Sequence, residues 1–290
     1  MPCIQRAKLP AISIGAFLAL FLQMAVASHP SDELFDAARE GTADEAIAAI
    51  DAGADVNARD QSGVTPLMHA LANNDPSMVM ALIDAGADVD GRDDFGWTVL
   101  MDAAKHQEPR IAEILIEHGA EINARTDSDS SALMVAAGNN EPAMVKALIA
   151  HGAEVDVRDD QGWSPLMTAV AQNDPEIAKV LIDHGADLDV RNDLGWTLLT
   201  VAAQRNDPAM VQTLVEHGAD IDARDGEGAT ALLDAAAFNS PAMVEAILAL
   251  GADAGLQNDA GQTAYDLLGD NPQITESDDV YDRLRQARTD

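Results

Sequence analysis

The sequence predicts an all-α solenoid of helix pairs, and three columns of residues predict it. Gly53, Gly86, Gly119, Gly152, Gly185, Gly218 and Gly251 recur at intervals of 33 residues. Thr65, Thr98, Ser131, Ser164, Thr197, Thr230 and Thr263 keep the same step, as do Pro76, Pro109, Pro142, Pro175, Pro208 and Pro241. Three columns in one register mark an array whose units bury their apolar faces only by stacking on their neighbours.

Each unit reads in order. The Thr or Ser accepts hydrogen bonds at a helix start, and a short Ala-rich helix such as "TPLMHALA" or "TVLMDAAK" follows. Asp75, Glu108, Asp174 or Asp207 then caps a second helix, whose first turn takes the column proline because that N–H has no partner anyway. In "PEIAKVLIDH", Ile177, Val180, Leu181 and His184 fall on one helical face. Gly185 supplies the left-handed residue that stops this helix. "ADLDVRNDLGW" then runs out as an extended arm, with Gly195 at a tight corner.

The ends depart from the unit. "SDELFDAAREGTADEAIAAIDAGAD" aligns one period before the first full unit, with Leu34 in the place of Leu67 and no arm ahead of it. At the other end Thr263 is kept, but Ile274 stands where the step would put proline. A final polar helix over 277–288 would turn Val280, Leu284 and Ala287 inward. Residues 28–56 therefore read as an N-terminal cap, 57–254 as six units of 33 residues, and 255–290 as a C-terminal cap and tail.

This pattern resembles the ankyrin repeat from about Asp32 to Gly269. The residues that carry the resemblance are Gly63-Val64-Thr65-Pro66-Leu67, the Gly-Ala-Asp/Glu triplets after each second helix, and the 33-residue step. The resemblance implies stacked helix pairs with β-turn fingers projecting to one side, and protein binding by finger tips and by the inner face of the first helices. It is specific for fold and unspecific for partner. The family's usual His after Thr-Pro-Leu is Met68, Met101, Met134 and Met167 here, then Thr200 and Leu233. Methionine there is expected to fill core. In the third finger Asp129 takes the turn-glycine position, which predicts a looser finger.

Ahead of the array, Arg6 and Lys8 precede the apolar run "AISIGAFLALFLQMAVA", which ends on Ala25-Val26-Ala27. This has the form of a secretory signal cut after Ala27, so residues 1–27 are assigned to it. The run is short for a membrane span, and no stable membrane insertion is expected after cleavage. Cys3 is the one cysteine and lies inside the signal, so the exported chain would have neither thiol nor disulfide. The Ala-x-Ala ending and the Ala/Asp-rich composition point to a bacterial protein, periplasmic or secreted. From Ser28 onward 15 Lys and Arg face 50 Asp and Glu, and such a surface repels nucleic-acid phosphate and anionic lipid.

Catalytic machinery is not legible. There is no exported cysteine, no Gly-x-Ser-x-Gly elbow and no Walker or dinucleotide glycine loop, so neither an enzyme nor a cofactor is expected. His118, His151, His184 and His217 form a column just before the stop glycines. Helices pack about 8–10 Å apart, far beyond the ~2 Å of a zinc–nitrogen bond. These histidines are expected to bond the last helix carbonyls, and no metal is expected. Asp55, Asp88, Glu121, Glu154, Asp187 and Asp220 lack the clustered spacing of a calcium loop. With Arg59, Arg92, Arg125, Arg158, Arg191 and Arg224 they predict an acid–base ladder between fingers.

Function should lie where the repeat leaves residues free. Those positions hold Phe95, Trp97, Trp163, Leu194 and Trp196 in the fingers, and Lys105, His106, Gln172, Arg205 and Phe238 at the ends of the first helices. Tryptophan and arginine dominate binding hot spots, which makes these residues the candidate protein-binding site. The competing role for the three tryptophans is bracing of neighbouring fingers. The expected function is a monomeric, non-catalytic scaffold that binds a partner protein outside the cytoplasm. The alternatives are a secreted effector acting on host proteins and a protective accessory of an exported stress-response enzyme.

Overall fold

A computed structural model describes residues 29–71, 73–106, 108–139, 141–205, 207–238, 240–274 and 279–287. The signal assigned to residues 1–27 lies outside the described residues.

Among the described residues the array opens on α1 (Pro30–Glu40) and α2 (Ala43–Asp51). Six pairs follow: α3 (Pro66–Leu71) with α4 (Pro76–Asp84), α5 (Val99–Lys105) with α6 (Pro109–Glu117), and α7 (Ala132–Gly138) with α8 (Pro142–Ala150). Next come α9 (Pro165–Gln172) with α10 (Pro175–Asp183), α11 (Leu198–Gln204) with α12 (Pro208–Glu216), and α13 (Ala231–Phe238) with α14 (Pro241–Ala249). A one-turn α15 (Ala264–Leu267), a 3₁₀ turn and α16 (Asp279–Ala287) close the stack. First helices pack on first helices of the next unit and second helices on second helices, which makes one continuous all-α solenoid.

The core repeats with the sequence. Leu67, Leu100, Leu133, Leu166, Leu199 and Leu232 are buried at one position of successive units. Burying each contributes about 1.5–3 kcal/mol. Met68, Met101, Met134 and Met167 are buried beside them, as expected of filler. Thr200 in that column is also buried, and its hydroxyl is satisfied locally: it accepts the N–H of Thr197 at 2.9 Å, while Thr197 Oγ1 accepts the N–H of Thr200 at 3.2 Å. At the end of the stack Ile274 is buried where the step proline is lost. Val280 and Leu284 turn inward from the last helix, and the side chain of Ala287 lies outside the described residues.

Caps mostly fall where the residues place them. Thr65, Thr98, Ser131 and Ser164 accept from the N–H three residues on, at 3.2–3.3 Å. Thr230 departs: its Oγ1 is buried with no hydrogen-bond partner among the described residues. Asp75, Asp174 and Asp207 cap their second helices as expected. Glu108 makes no side-chain cap bond, although Glu141 does so in the next unit.

The fingers are tied into a single edge. Within most fingers one Asp or Asn oxygen accepts two backbone N–H groups, as Asp93 takes those of Phe95 at 2.8 Å and Trp97 at 2.9 Å; in the third finger the Thr126 hydroxyl takes the N–H of Ser130 at 3.0 Å instead. Between fingers, backbone N–H groups step along the array: Asp94 to Ser62 O, Asp127 to Phe95 O, Asp160 to Ser128 O and Asp193 to Gln161 O, each at 3.0–3.1 Å. The expected acid–base ladder takes a different form. Arg59, Arg92 and Arg191 donate to the backbone carbonyls of Arg92, Arg125 and Arg224, at 2.6, 3.0 and 3.1 Å, and Arg125, Arg158 and Arg224 do the same one unit on. Of the acids named for that ladder only Glu121 meets an arginine, Arg92 at 3.1 Å. A carbonyl is present in every finger whatever its side chains, so it makes the more regular acceptor.

The third finger is not looser. Asp129 adopts a left-handed φ of 61°, and its N–H still closes the turn on Thr126 O at 2.9 Å. The corner at Gly195 is more demanding. Its φ is 83°, and a Cβ there would meet Gly226 Cα at 2.5 Å.

Candidate protein-binding face

The candidate residues fall in two rows. Phe95, Trp97, Trp163, Leu194 and Trp196 stand on the fingers, at the start of the first helices. Lys105, His106, Gln172, Arg205 and Phe238 stand at the far ends of those helices, all exposed. Roughly 10 Å of helix separates the rows, at 1.5 Å per residue. Lys105 bridges them in the second unit, its ammonium 5.8 Å from the centre of the Trp97 ring.

Within the finger row two environments alternate. Phe95 and Leu194 point outward, 70% and 66% exposed, and Phe238 in the other row is 70% exposed. The three tryptophans are half-buried and pack against the hydrophobic core. Trp97 Nε1 donates to Asp102 Oδ1 at 2.9 Å. Trp163 and Trp196 meet edge to face with centroids 6.5 Å apart, the arrangement favoured by the ring quadrupole. Trp163 and Trp196 thus brace the fourth finger against the fifth, Trp97 is held within its own unit, and the outward contact area comes from the neighbours two residues earlier.

A further column on the first helices was not singled out from sequence: His69, Asp102, Val135, Thr168, Val201 and Asp234. Its mixture of apolar and carboxylate side chains at the 33-residue step was the available signal. His69 sits between Asp60, 3.0 Å from Oδ2, and Arg39, 3.2 Å from Nη2, with Phe35 edge-on at 5.5 Å. Burial pushes the Asp60 carboxyl up, but the Ser62 N–H, the His69 ring and the Val64 N–H outweigh it and hold the group below its ordinary value. Burial raises Asp102, against the hydrogen bond from Trp97 and the charges of His106 and Lys105. Asp234 is pushed up to about 7, by burial first and then by the nearby charges of Asp225 and Glu227, with only a hydrogen bond from Gln204 opposing. Its Oδ2 is buried without a partner among the described residues.

The histidine column does what a helix terminus asks of it. The Nδ1–H groups of His118, His151, His184 and His217 donate to the carbonyls of Ile114, Ala147, Val180 and Thr213 at 2.7–2.8 Å. Among the described residues no three His, Cys, Asp or Glu side chains converge as metal ligands would.

This frame is shared with known proteins. The family model for ankyrin repeats, three copies to a model, matches residues 34–126, 125–192 and 185–258. The chain belongs to the ankyrin repeat family. Among solved structures, the human ASB11 ankyrin repeat domain superposes with a TM-score of 0.68 at 24% identity, over 76% of this chain and 97% of that one. The ankyrin repeat domain of Bcl-3, described as a unique member of the IkappaB protein family, gives 0.66 at 25% identity over 78% of this chain and 100% of that one. No curated protein matches the sequence. Ankyrin arrays are protein-interaction modules, and the present ankyrin chain carries no helix, among its described residues, long and apolar enough to cross a membrane.

Proposed function

We propose that this ankyrin protein is a monomeric, non-catalytic scaffold that grips one partner protein outside the cytoplasm, through its finger tips and the concave face of its first helices. The observation that carries this reading is the exposure of Phe95, Leu194 and Phe238 on a frame whose fingers are bonded one to the next. Exposed aromatic and aliphatic anchors on a rigid surface bind with little loss of conformational entropy. Trp163 and Trp196, packed edge to face, hold the fourth and fifth fingers together beside Leu194. The apolar run ending at Ala27 supports export.

The test is capture of partners from a periplasmic extract and from culture medium. Wild type is compared with a Phe95→Ser, Leu194→Ser, Phe238→Ser variant, which leaves the core untouched. The scaffold reading expects a partner bound stoichiometrically by wild type and lost from the variant. Equal recovery by both forms, or no partner for either, rejects it.

A further inference from the structure

The tryptophan row has a gap. Trp97, Trp163 and Trp196 occupy one position of fingers two, four and five, and the third finger has Ser130 there. Ser128 likewise stands where its neighbours have Phe95, Gln161 and Leu194. The fingers remain in register, since Asp127 N–H still bonds Phe95 O and Asp160 N–H still bonds Ser128 O, both at 3.0–3.1 Å. Missing side chains on a continuous backbone leave a hole. This open notch, of about 390 Å³, is lined by Phe95 and Trp97 of the second finger, Ser128 and Ser130 of the third, and Asp159 and Asp160 of the fourth.

We propose that this notch is a socket for a guanidinium side chain, presented by an extended basic segment of the partner protein. This rests on the scaffold reading above and names the chemistry of its partner. Three features favour that occupant. One wall is aromatic: Trp97 has the chain's own Lys105 ammonium 5.8 Å from its ring centre, at cation–π distance, and the Phe95 ring beside it is exposed and has no such cation, which leaves it open to a guanidinium. Of the two acids that line the notch, Asp159 accepts the backbone N–H groups of Gln161 and Trp163 through Oδ1, at 2.9 and 2.8 Å. The Asp160 carboxylate pairs with no Lys, Arg or His among the described residues, unlike Asp94, its counterpart in the second finger, which pairs with Arg59 at 2.7 Å. The Ser128 and Ser130 hydroxyl oxygens have lone pairs for the N–H groups that a planar guanidinium directs outward in a fork, Ser128 Oγ keeping its 3.1 Å hydrogen bond with Thr126 Oγ1. A metal ion fits less well, because no three ligating side chains converge among the described residues. The whole chain carries a formal charge of −33, which steers a basic partner toward this edge.

The probe is the peptide acetyl-Gly-Ala-Arg-Ala-Gly-amide, with glutamine in place of arginine as control. Both are titrated into ¹⁵N-labelled protein while amide and indole resonances are followed. The socket predicts saturable shifts confined to Trp97, the third finger and Asp159–Gln161 for the arginine peptide, and none for the control. Ser130→Trp restores the residue that the other fingers carry, fills the notch and leaves the charge unchanged. It should weaken arginine binding roughly tenfold, and Asp160→Asn roughly threefold, with helical circular dichroism unchanged in both. Shifts spread over the acidic surface, or undiminished binding by Ser130→Trp, overturn the proposal. A partner captured equally by wild type and Ser130→Trp also sinks the socket while leaving the scaffold intact. Peptide binding in the notch without any captured partner sinks the scaffold instead.

Discussion

Replacing Asp234 by valine should make the protein more stable, and increasingly so as pH rises. Val135 and Val201 occupy the same position in other units, so the side chain fits the stack. Asp234 is held up at about 7 by burial and by Asp225 and Glu227, against an ordinary 3.8. The folded protein therefore binds this proton more tightly than the unfolded chain does, and the sign follows. Stability from the group is fully present below about 4 and is lost as pH rises toward 7, where the folded protein must give up the proton. At about 1.36 kcal/mol per pH unit, with the slope falling off as pH nears 7, the loss between pH 5 and pH 7 is roughly 2 kcal/mol. Urea unfolding followed by circular dichroism at pH 5, 6.5 and 8 stays above the sequence pI of about 4.1, where a chain of this charge would precipitate. The difference between Asp234→Val and wild type isolates this group from the other carboxylates. It should widen by roughly 3 kcal/mol from pH 5 to pH 8. A difference that stays flat across that range would show that Asp234 ionises like a surface carboxylate, and the account of its burial would be wrong.

Further outcomes follow from particular contacts. Thr230→Val removes a buried hydroxyl without a partner and should stabilise by about 1 kcal/mol. The same change at Thr98, whose Oγ1 caps α5, should cost about 0.5–2 kcal/mol, and chemical denaturation of both variants checks the contrast. Gly195→Ala forces a Cβ to within 2.5 Å of Gly226 Cα at a φ of 83° and should lower stability by roughly 1–3 kcal/mol; protection of the fifth and sixth fingers from hydrogen exchange should fall with it. Trp97→Phe strips Asp102 of its indole donor and should cost about 1–3 kcal/mol. Phe95→Ser, two residues away and exposed, should stay within about 0.5 kcal/mol of wild type, and chemical denaturation of the two variants reads the difference.

The stack was legible because its rules are local and are stated many times over. A Thr at Thr98, a proline at Pro109 and a glycine at Gly119 each act on the backbone within a turn, and the step of 33 repeats the instruction. The methionines and the histidine column were legible for the same reason, since a helix position decides their surroundings. Contacts between units were harder. Arg59 reaches a carbonyl 33 residues away and the Asp94 carboxylate beside it, and an eye on the acids after each Gly-Ala misses both. Glu108 and Thr230 carry residues suited to capping, yet their side chains do not cap. Asp102 and Asp234 look like ordinary acids in a chain full of them, and only the packing of neighbouring first helices buries them. The tryptophans were identified as a set, but whether a ring faces outward or braces its neighbour depends on the path of the adjacent finger. The gap at Ser130 gains meaning once the walls on either side of it stand in place.

The central claim is that a partner is held by the finger row and the far ends of the first helices. Amide hydrogen exchange on the protein with and without its captured partner tests this most directly. The account predicts new protection over 93–97, 159–163 and 192–196 and around Phe238, with the second helices such as Pro109–Glu117 unchanged. Protection confined to the second helices, with the fingers exchanging as in the free protein, would contradict it.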